Sequence, residues 1–248
     1  MLVSIPWWLD SGSPWATTDR AEASALDLAT TTERPATDFF LARTDDGLAL
    51  FRSNTNGTDQ SFCADLTTTA GQRGINRRAS PLARACGLHR HPGLSIFDAT
   101  AGLGRDSATL ASFGCPITAV ERHAIPAALT RDALRRARDA GFFEATWAHL
   151  ATGDAQRWLS DETLEQPDVV LIDPMFSADR RKAKPQKIIA WLNEILGPDA
   201  DAPTLLAAAR ATARRRVVVK RHARQLALGE PDFSLGKRAV RFDIYLSQ

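Results

Sequence analysis

The sequence predicts an α/β protein: a doubly wound, mostly parallel sheet preceded by a small N-terminal β-containing lobe. Three observations predict it. From about Leu94 onward, short β-rich runs alternate with Ala/Leu/Arg-rich stretches of helical length, the rhythm of a parallel sheet covered by helices on both faces. A glycine-bearing turn follows the first of those runs and opens the first helical stretch. The first 70 residues differ, being rich in Thr, Ser and Asp and carrying a hairpin signal.

In chain order, residues 21–29 predict a short helix, and Trp7, Trp8 and Trp15 a miniature core for the lobe. The apolar runs 39–43 and 48–52 flank Thr44-Asp45-Asp46-Gly47, a short loop with Asp-Gly, and so predict a β-hairpin. Further on, strands are predicted over 94–98, 116–121, 146–150, 168–173, 216–221 and 241–246, and helices over 105–113, 125–140, 185–196 and 204–214. Only the short connection through 233–238 precedes the last strand, which suits an antiparallel hairpin at the sheet edge. With a boundary near Gly71, the expected division is a lobe of residues 1–70 and a larger domain of residues 71–248.

The 248 residues, 44% hydrophobic and 24% charged, suffice for one large domain with an appendage and a core that needs no staples. Cys63, Cys86 and Cys115 are odd in number and dispersed, which fits a reducing cytoplasm and neither a disulfide framework nor a zinc site. The five histidines show no ligand spacing, so no metal is expected. Pro6 and Asp10 interrupt the first apolar run, a poor secretory signal, and no run approaches the ~18 apolar residues of a membrane span. The net charge of +2 conceals an asymmetry: residues 1–70 hold four Lys/Arg and ten Asp/Glu, net −6, and the remainder 27 and 19, net +8. A basic larger domain points to a polyanionic partner.

The stretch Asp98-Ala99-Thr100-Ala101-Gly102-Leu103-Gly104-Arg105-Asp106 sits at a strand-to-helix junction. Glycines there let the backbone approach a ligand, and the free N–H groups of the helix start face an anionic group. Glu121, 17 residues after Gly104 at the end of the next predicted strand, can accept from both hydroxyls of a ribose. A dinucleotide fingerprint would need a third glycine where Ser107 stands, which disfavours a pyrophosphate. A nucleoside with a small charged tail fits better, and S-adenosylmethionine is one. After the third strand, Asp154 of Ala151-Thr152-Gly153-Asp154 either accepts from an adenine amine or caps a helix starting at Ala155.

Asp173 ends the fourth strand at the sheet edge that carries the glycine loop, the ligand crevice of a doubly wound fold. Pro174 then stops the ladder, so nearby carbonyls can face the cleft. An exocyclic base amine is a poor nucleophile because its lone pair is delocalised, and acceptors that take its protons improve it. The Asp173 carboxylate and a main-chain carbonyl would do so while Phe176 stacks on the base. In the plainer alternative, Asp-Pro ends a strand and Phe176 is core.

Taken with Glu121-Arg122, Asp173-Pro174-Met175-Phe176, Arg216-Val217-Val218-Val219-Lys220-Arg221 and Arg241-Phe242-Asp243-Ile244-Tyr245, the glycine stretch resembles the ribosomal RNA small subunit methyltransferase J family over roughly residues 71–248. The resemblance implies a class I methyltransferase fold with a seven-stranded sheet, S-adenosylmethionine as cofactor, and methyl transfer to N2 of a guanine in 16S rRNA, free or within the small subunit. It also implies that Arg105, Asp106, Glu121, Arg122 and Asp173 contact the cofactor. Asp98, Gly102, Gly104, Gly153 and Asp154 complete that expected set, and Asp173, Pro174 and Phe176 form the catalytic one.

Arg73, Arg77 and Arg78 before the domain, Arg180, Arg181, Lys182 and Lys184 after the reaction-end motif, and Lys220 and Arg221 are expected to hold RNA phosphates. Arg131, Arg135, Arg136 and Arg138 read as a solvated helix face. Competing readings keep the chemistry with a DNA amine or protein amide as acceptor, or make the chain a non-catalytic RNA-binding or assembly module with a vestigial pocket. A nicotinamide oxidoreductase is disfavoured by the missing third glycine.

Overall fold

The computed structural model describes residues 5–54, 58–68, 80–143, 145–147, 150–163, 165–174, 187–236 and 239–247. Phe176, Arg73, Arg77, Arg78, Arg180, Arg181, Lys182 and Lys184 lie outside the described residues.

The N-terminal part holds β1 (Trp7–Trp8), α1 (Ala16–Ala25), β2 (Thr30–Thr31), β3 (Phe39–Thr44), β4 (Gly47–Arg52) and β5 (Gln60–Cys63). Its strands form one sheet in the order β2-β1-β3-β4-β5. The hairpin falls where the Asp-Gly loop predicts it, with Phe39 opposite Arg52 and Thr44 opposite Gly47. The helix does not. It starts at Ala16 and stops at Ala25, because Asp27 adopts a left-handed φ of 54° and the Leu28 N–H folds back onto the Ala23 carbonyl at 2.8 Å. Residues 26–29 therefore lead into β2 instead of extending the helix.

The larger part contains α2 (Pro81–Ala85), β6 (Ile96–Asp98), α3 (Arg105–Ser112), β7 (Ile117–Glu121), α4 (Ala124–Asp139), β8 (Leu150–Thr152) and α5 (Ala155–Leu159). It continues with β9 (Val169–Ile172), α6 (Lys187–Leu196), α7 (Ala202–Thr212), β10 (Arg216–His222), β11 (Phe233–Leu235) and β12 (Val240–Leu246). Seven strands run in the order β11-β12-β10-β9-β6-β7-β8. All pairings from β10 to β8 are parallel, and β12 is antiparallel to both β10 and β11. The predicted doubly wound, mostly parallel sheet is present.

Two details differ from expectation. The segment 233–238 is more than a connection: Phe233–Leu235 is itself the edge strand, and β12 lies inside it. Three residues, two of them exposed, carry too little alternation to announce a strand. Of the strand expected over 146–150, Leu150 lies in β8, whereas Trp147 is fully buried, with its N–H folded back onto the Phe143 carbonyl at 2.9 Å.

The sheet is covered on both sides, as an all-apolar run such as β9 requires. Ile96, Val169, Leu171 and Val218 face one core, which extends through α3, α4 and α6 into Trp7, Leu41, Leu48 and Leu50 of the N-terminal sheet. Phe97, Val170, Ile172 and Val219 face the other, against Ala155 and Leu159 of α5 and Leu205 and Leu206 of α7. Phe39 of β3 meets Trp191 of α6 edge-on at 6.0 Å.

Of the four arginines expected on a solvated helix face, Arg138 is exposed as expected, whereas Arg131, Arg135 and Arg136 reach the N-terminal part. Asp132, 5% exposed, accepts from Arg43 (2.6 Å), Arg135 (2.8 Å), Arg136 (2.8 Å) and the Leu48 N–H (3.0 Å). Burial works against its charge, yet the hydrogen bonds from Arg43, Arg136 and Leu48 hold the carboxyl well below the usual carboxylate range. Arg131 reaches Glu22 of α1 at 2.8 Å, and Arg135 stacks over Trp15 at 4.2 Å. Gly47, at φ +130°, permits this closeness: a Cβ there would sit 2.6 Å from Asp132 Oδ2.

Candidate active site

The chain order leaves β6 between β9 and β7, so connections depart in opposite directions on either side of it and a crevice opens beyond the carboxyl ends of β6 and β9. A cleft of about 270 Å³ occupies that place. Its floor is the glycine loop. Gly102, at φ +52°, has no atom nearer than 3.9 Å to where a Cβ would stand, so the space above it is open to a ligand. Gly104, at φ +73°, differs: a Cβ would lie 2.8 Å from both Thr130 Cγ2 and Trp147 Cη2. The first glycine serves the cleft and the second serves packing.

Glu121, 6% exposed at the end of β7, accepts from the Gly102 N–H at 2.8 Å on one oxygen and from the His123 N–H at 2.7 Å on the other. Burial pushes its carboxyl up, and those two N–H groups hold it back. Each oxygen retains a lone pair for a ligand hydroxyl. Asp98, buried at the end of β6, is pushed up to about 7 by burial, with the Ser107 hydroxyl pulling the other way; Ser107 Oγ donates to it at 2.5 Å.

Asp173 follows β9, with its N–H on Thr100 Oγ1 at 2.6 Å, and its side chain remains 40% exposed to the cleft. Crowding away from water pushes its carboxyl above the ordinary value, Lys220 pulls it back, and Asp106 and Asp199 push it further up. Pro174 lines the cleft beside it. Asp154 caps α5, accepting from the Gln156 N–H at 2.9 Å, and lines the cleft as well. Among the described lining residues neither Gly104 nor Gly153 appears.

Among the described residues the lining holds seven acids, Asp154, Asp199 and Asp201 among them, against three basic side chains, Arg105, Arg122 and Lys220. Such a site favours a positively charged ligand and opposes a pyrophosphate. A nucleoside sulfonium that also carries an ammonium group meets that demand, and Pro126, Ile189, Leu192 and Leu205 supply an apolar wall for its base. Among the described residues no His/Cys/Asp/Glu group of metal-holding kind is found, and no helix is long and apolar enough to cross a membrane.

Residues 23–247 match a family described as "Putative SAM-dependent methyltransferase". The chain is 41% identical over 236 residues to the ribosomal RNA small subunit methyltransferase J of Alkalilimnicola ehrlichii, covering 91% of this chain and 89% of that protein. The chain belongs to the ribosomal RNA small subunit methyltransferase J family. It is also 39% identical to the protein of that name from Thioalkalivibrio sulfidiphilus, with 92% and 93% of the two chains covered. The fold is shared with the SAM-dependent methyltransferase NGO1261 from Neisseria gonorrhoeae, at TM-score 0.73 and 30% identity over 97% of this chain and 95% of that one. This J-family member is thus a class I methyltransferase that uses S-adenosylmethionine.

Two residues expected on an RNA surface stand elsewhere in this family member. The Arg221 side chain is 0% exposed and paired with Asp243, so it presents no charge to a phosphate. Lys220 lies in the cleft, 2.6 Å from Asp106 and 2.9 Å from Asp173. Arg122 spans the mouth to Asp199 and, at 2.7 Å, Asp201. Sequence reasoning missed those two acids. Their signal was the Gly197-Pro198-Asp199-Ala200-Asp201 turn before a helix: Asp201 occupies the N-cap of α7 without a side-chain cap bond, its carboxylate being turned to Arg122.

Proposed function

We propose that this chain transfers a methyl group from S-adenosylmethionine to N2 of a guanine in small-subunit ribosomal RNA, as a methyltransferase domain of residues 71–248 carrying a lobe of residues 1–70. The reading rests on one juxtaposition: the Glu121-tethered glycine loop and Asp173 open on the same acid-lined cleft. The names of the relatives supply the RNA, and the resemblance of the Asp173-Pro174-Met175-Phe176 block supplies the amine.

When bound, the cofactor supplies an electrophilic methyl group: the amine nitrogen forms the new C–N bond as the C–S bond breaks, the electron pair stays on sulfur, and the amine sheds one proton. The chain's own residues prepare that event. Glu121 holds the ribose hydroxyls on its free lone pairs, Gly102 lets the loop backbone lie close, and Asp98 and Asp106 face the cationic end. Asp173, with its backbone fixed by Thr100, accepts a proton of the exocyclic amine and turns the lone pair out of the ring. Phe176 stacks on the base. RNA phosphates fall to Arg73, Arg77, Arg78, Arg180, Arg181, Lys182 and Lys184 on charge and chain position, and a cytoplasmic location follows from a ribosomal substrate.

The test is methyl transfer from labelled S-adenosylmethionine to small subunits and rRNA lacking the modification, followed by nucleoside analysis. N2-methylguanosine is the expected product; label in another nucleoside, or in protein only, would overturn the reading. Glu121→Gln is expected to act on binding more than on chemistry. Losing charged hydrogen bonds worth about 1.5 to 3 kcal/mol weakens cofactor Kd roughly tenfold or more, while kcat at saturation stays close to wild type. Calorimetric titration checks the first and steady-state kinetics the second.

A further inference from the structure

Lys220 stands on β10, one strand beyond β9, at the same end of the sheet as the glycine loop. Its ammonium touches two carboxylates at once, Asp106 in the first turn of α3 at 2.6 Å and Asp173 after β9 at 2.9 Å. We propose that Lys220 is a positioning residue for methyl transfer, whose ammonium ties the Asp173 carboxylate to the start of α3 and keeps it ionised and aimed into the cleft. The inference rests on the reading of Asp173 as the group that receives the amine.

Its physical need is visible around Asp173. Asp98 from β6, Asp106 from α3 and Asp199 from the α6–α7 turn all bear electrostatically on this corner, and all are acids. Without a cation among them, one acid would take up a proton to relieve the repulsion, as closely spaced carboxylates do. The Asp173 carboxyl is already pushed above its ordinary value by removal from water and by Asp106 and Asp199, so loss of the Lys220 ammonium would expose it to protonation. A protonated Asp173 would donate to the amine nitrogen instead of accepting from it, consuming the lone pair that must attack. Burial works against the Lys220 charge, but Asp173 and Asp106 outweigh it and hold the ammonium above the ordinary lysine value, so the lysine stays cationic wherever the enzyme works.

The deciding experiment titrates carboxyl carbons by NMR in the cofactor-free protein, with the Asp173 resonance assigned by its loss in Asp173→Asn. In Lys220→Met the Asp173 midpoint is expected to rise by about one to three pH units, with Lys220→Arg restoring it. In parallel, the acidic limb of the kcat profile should move up by a similar amount in Lys220→Met, with KM for S-adenosylmethionine changed less than kcat. An unmoved Asp173 midpoint in a folded Lys220→Met protein would overturn the inference and leave the reading of Asp173 standing. Asp173→Asn turning over like wild type would overturn that reading and, with it, the role of Lys220 in the reaction.

Discussion

Asp173→Ala is expected to lower kcat by about 10²- to 10³-fold, the usual cost of removing one preorganised hydrogen-bonding group from a reaction centre. The substitution deletes the acceptor that faces the cleft while leaving the backbone bond from its N–H to Thr100 intact. The strand end should keep its place, and the loss should fall on the chemical step. Single-turnover methylation of small subunits with saturating cofactor measures that step directly. Asp173→Asn should fall between the two, because an amide oxygen still accepts but without charge. Near-normal turnover in Asp173→Ala would contradict the mechanism. The same substitution also frees Lys220 from one partner, leaving Asp106 as its remaining ion pair, so overall stability is expected to change little.

The largest expected effect on stability belongs to a residue far from the chemistry. Asp132→Ala removes the carboxylate that Arg43, Arg135 and Arg136 share and orphans the Leu48 N–H. Breaking a buried pair by deleting one partner costs about 3 to 5 kcal/mol, which urea titration would resolve. The same carboxyl carries a pH signature. Its folded value is depressed, so its contribution is present above the unfolded value of about 4 and is lost as pH falls below that, because the unfolded chain then binds the additional proton. Wild type should lose stability on acidification more steeply than Asp132→Asn. Parallel slopes below pH 4 would show that Asp132 is not held ionised by its arginines.

Much of this was readable from the residues alone, for reasons that are local. The glycine loop, Glu121 and Asp173 each sit at a strand end, and strand ends in a parallel sheet meet at one edge, so chain position placed them together without coordinates. The two glycines looked equivalent and are not: only the neighbours Thr130 and Trp147, far off in sequence, tell packing from ligand space. Lys220 and Arg221 read as a basic pair, yet consecutive strand residues point to opposite faces. One reaches the cleft acids, and the other meets Asp243 within the sheet's cover. Arg131, Arg135 and Arg136 of α4 read as solvated because what they meet, Glu22, the Trp15 ring and the Ala64 carbonyl, belongs to a part of the chain whose docking no periodicity announces.

That docking has a mechanical consequence. Thr130 hangs the glycine loop on α4 by donating to the Gly102 carbonyl at 2.7 Å, and two residues later Asp132 hangs β4 on the same helix. At 3.6 residues per turn the two hooks lie just over half a turn apart. Helix α4 is therefore a shared axle that carries both loads. On the proposed reading of the glycine loop, local opening of β4 is expected to loosen the cleft floor, and a ligand settling there is expected to hold β4 closed.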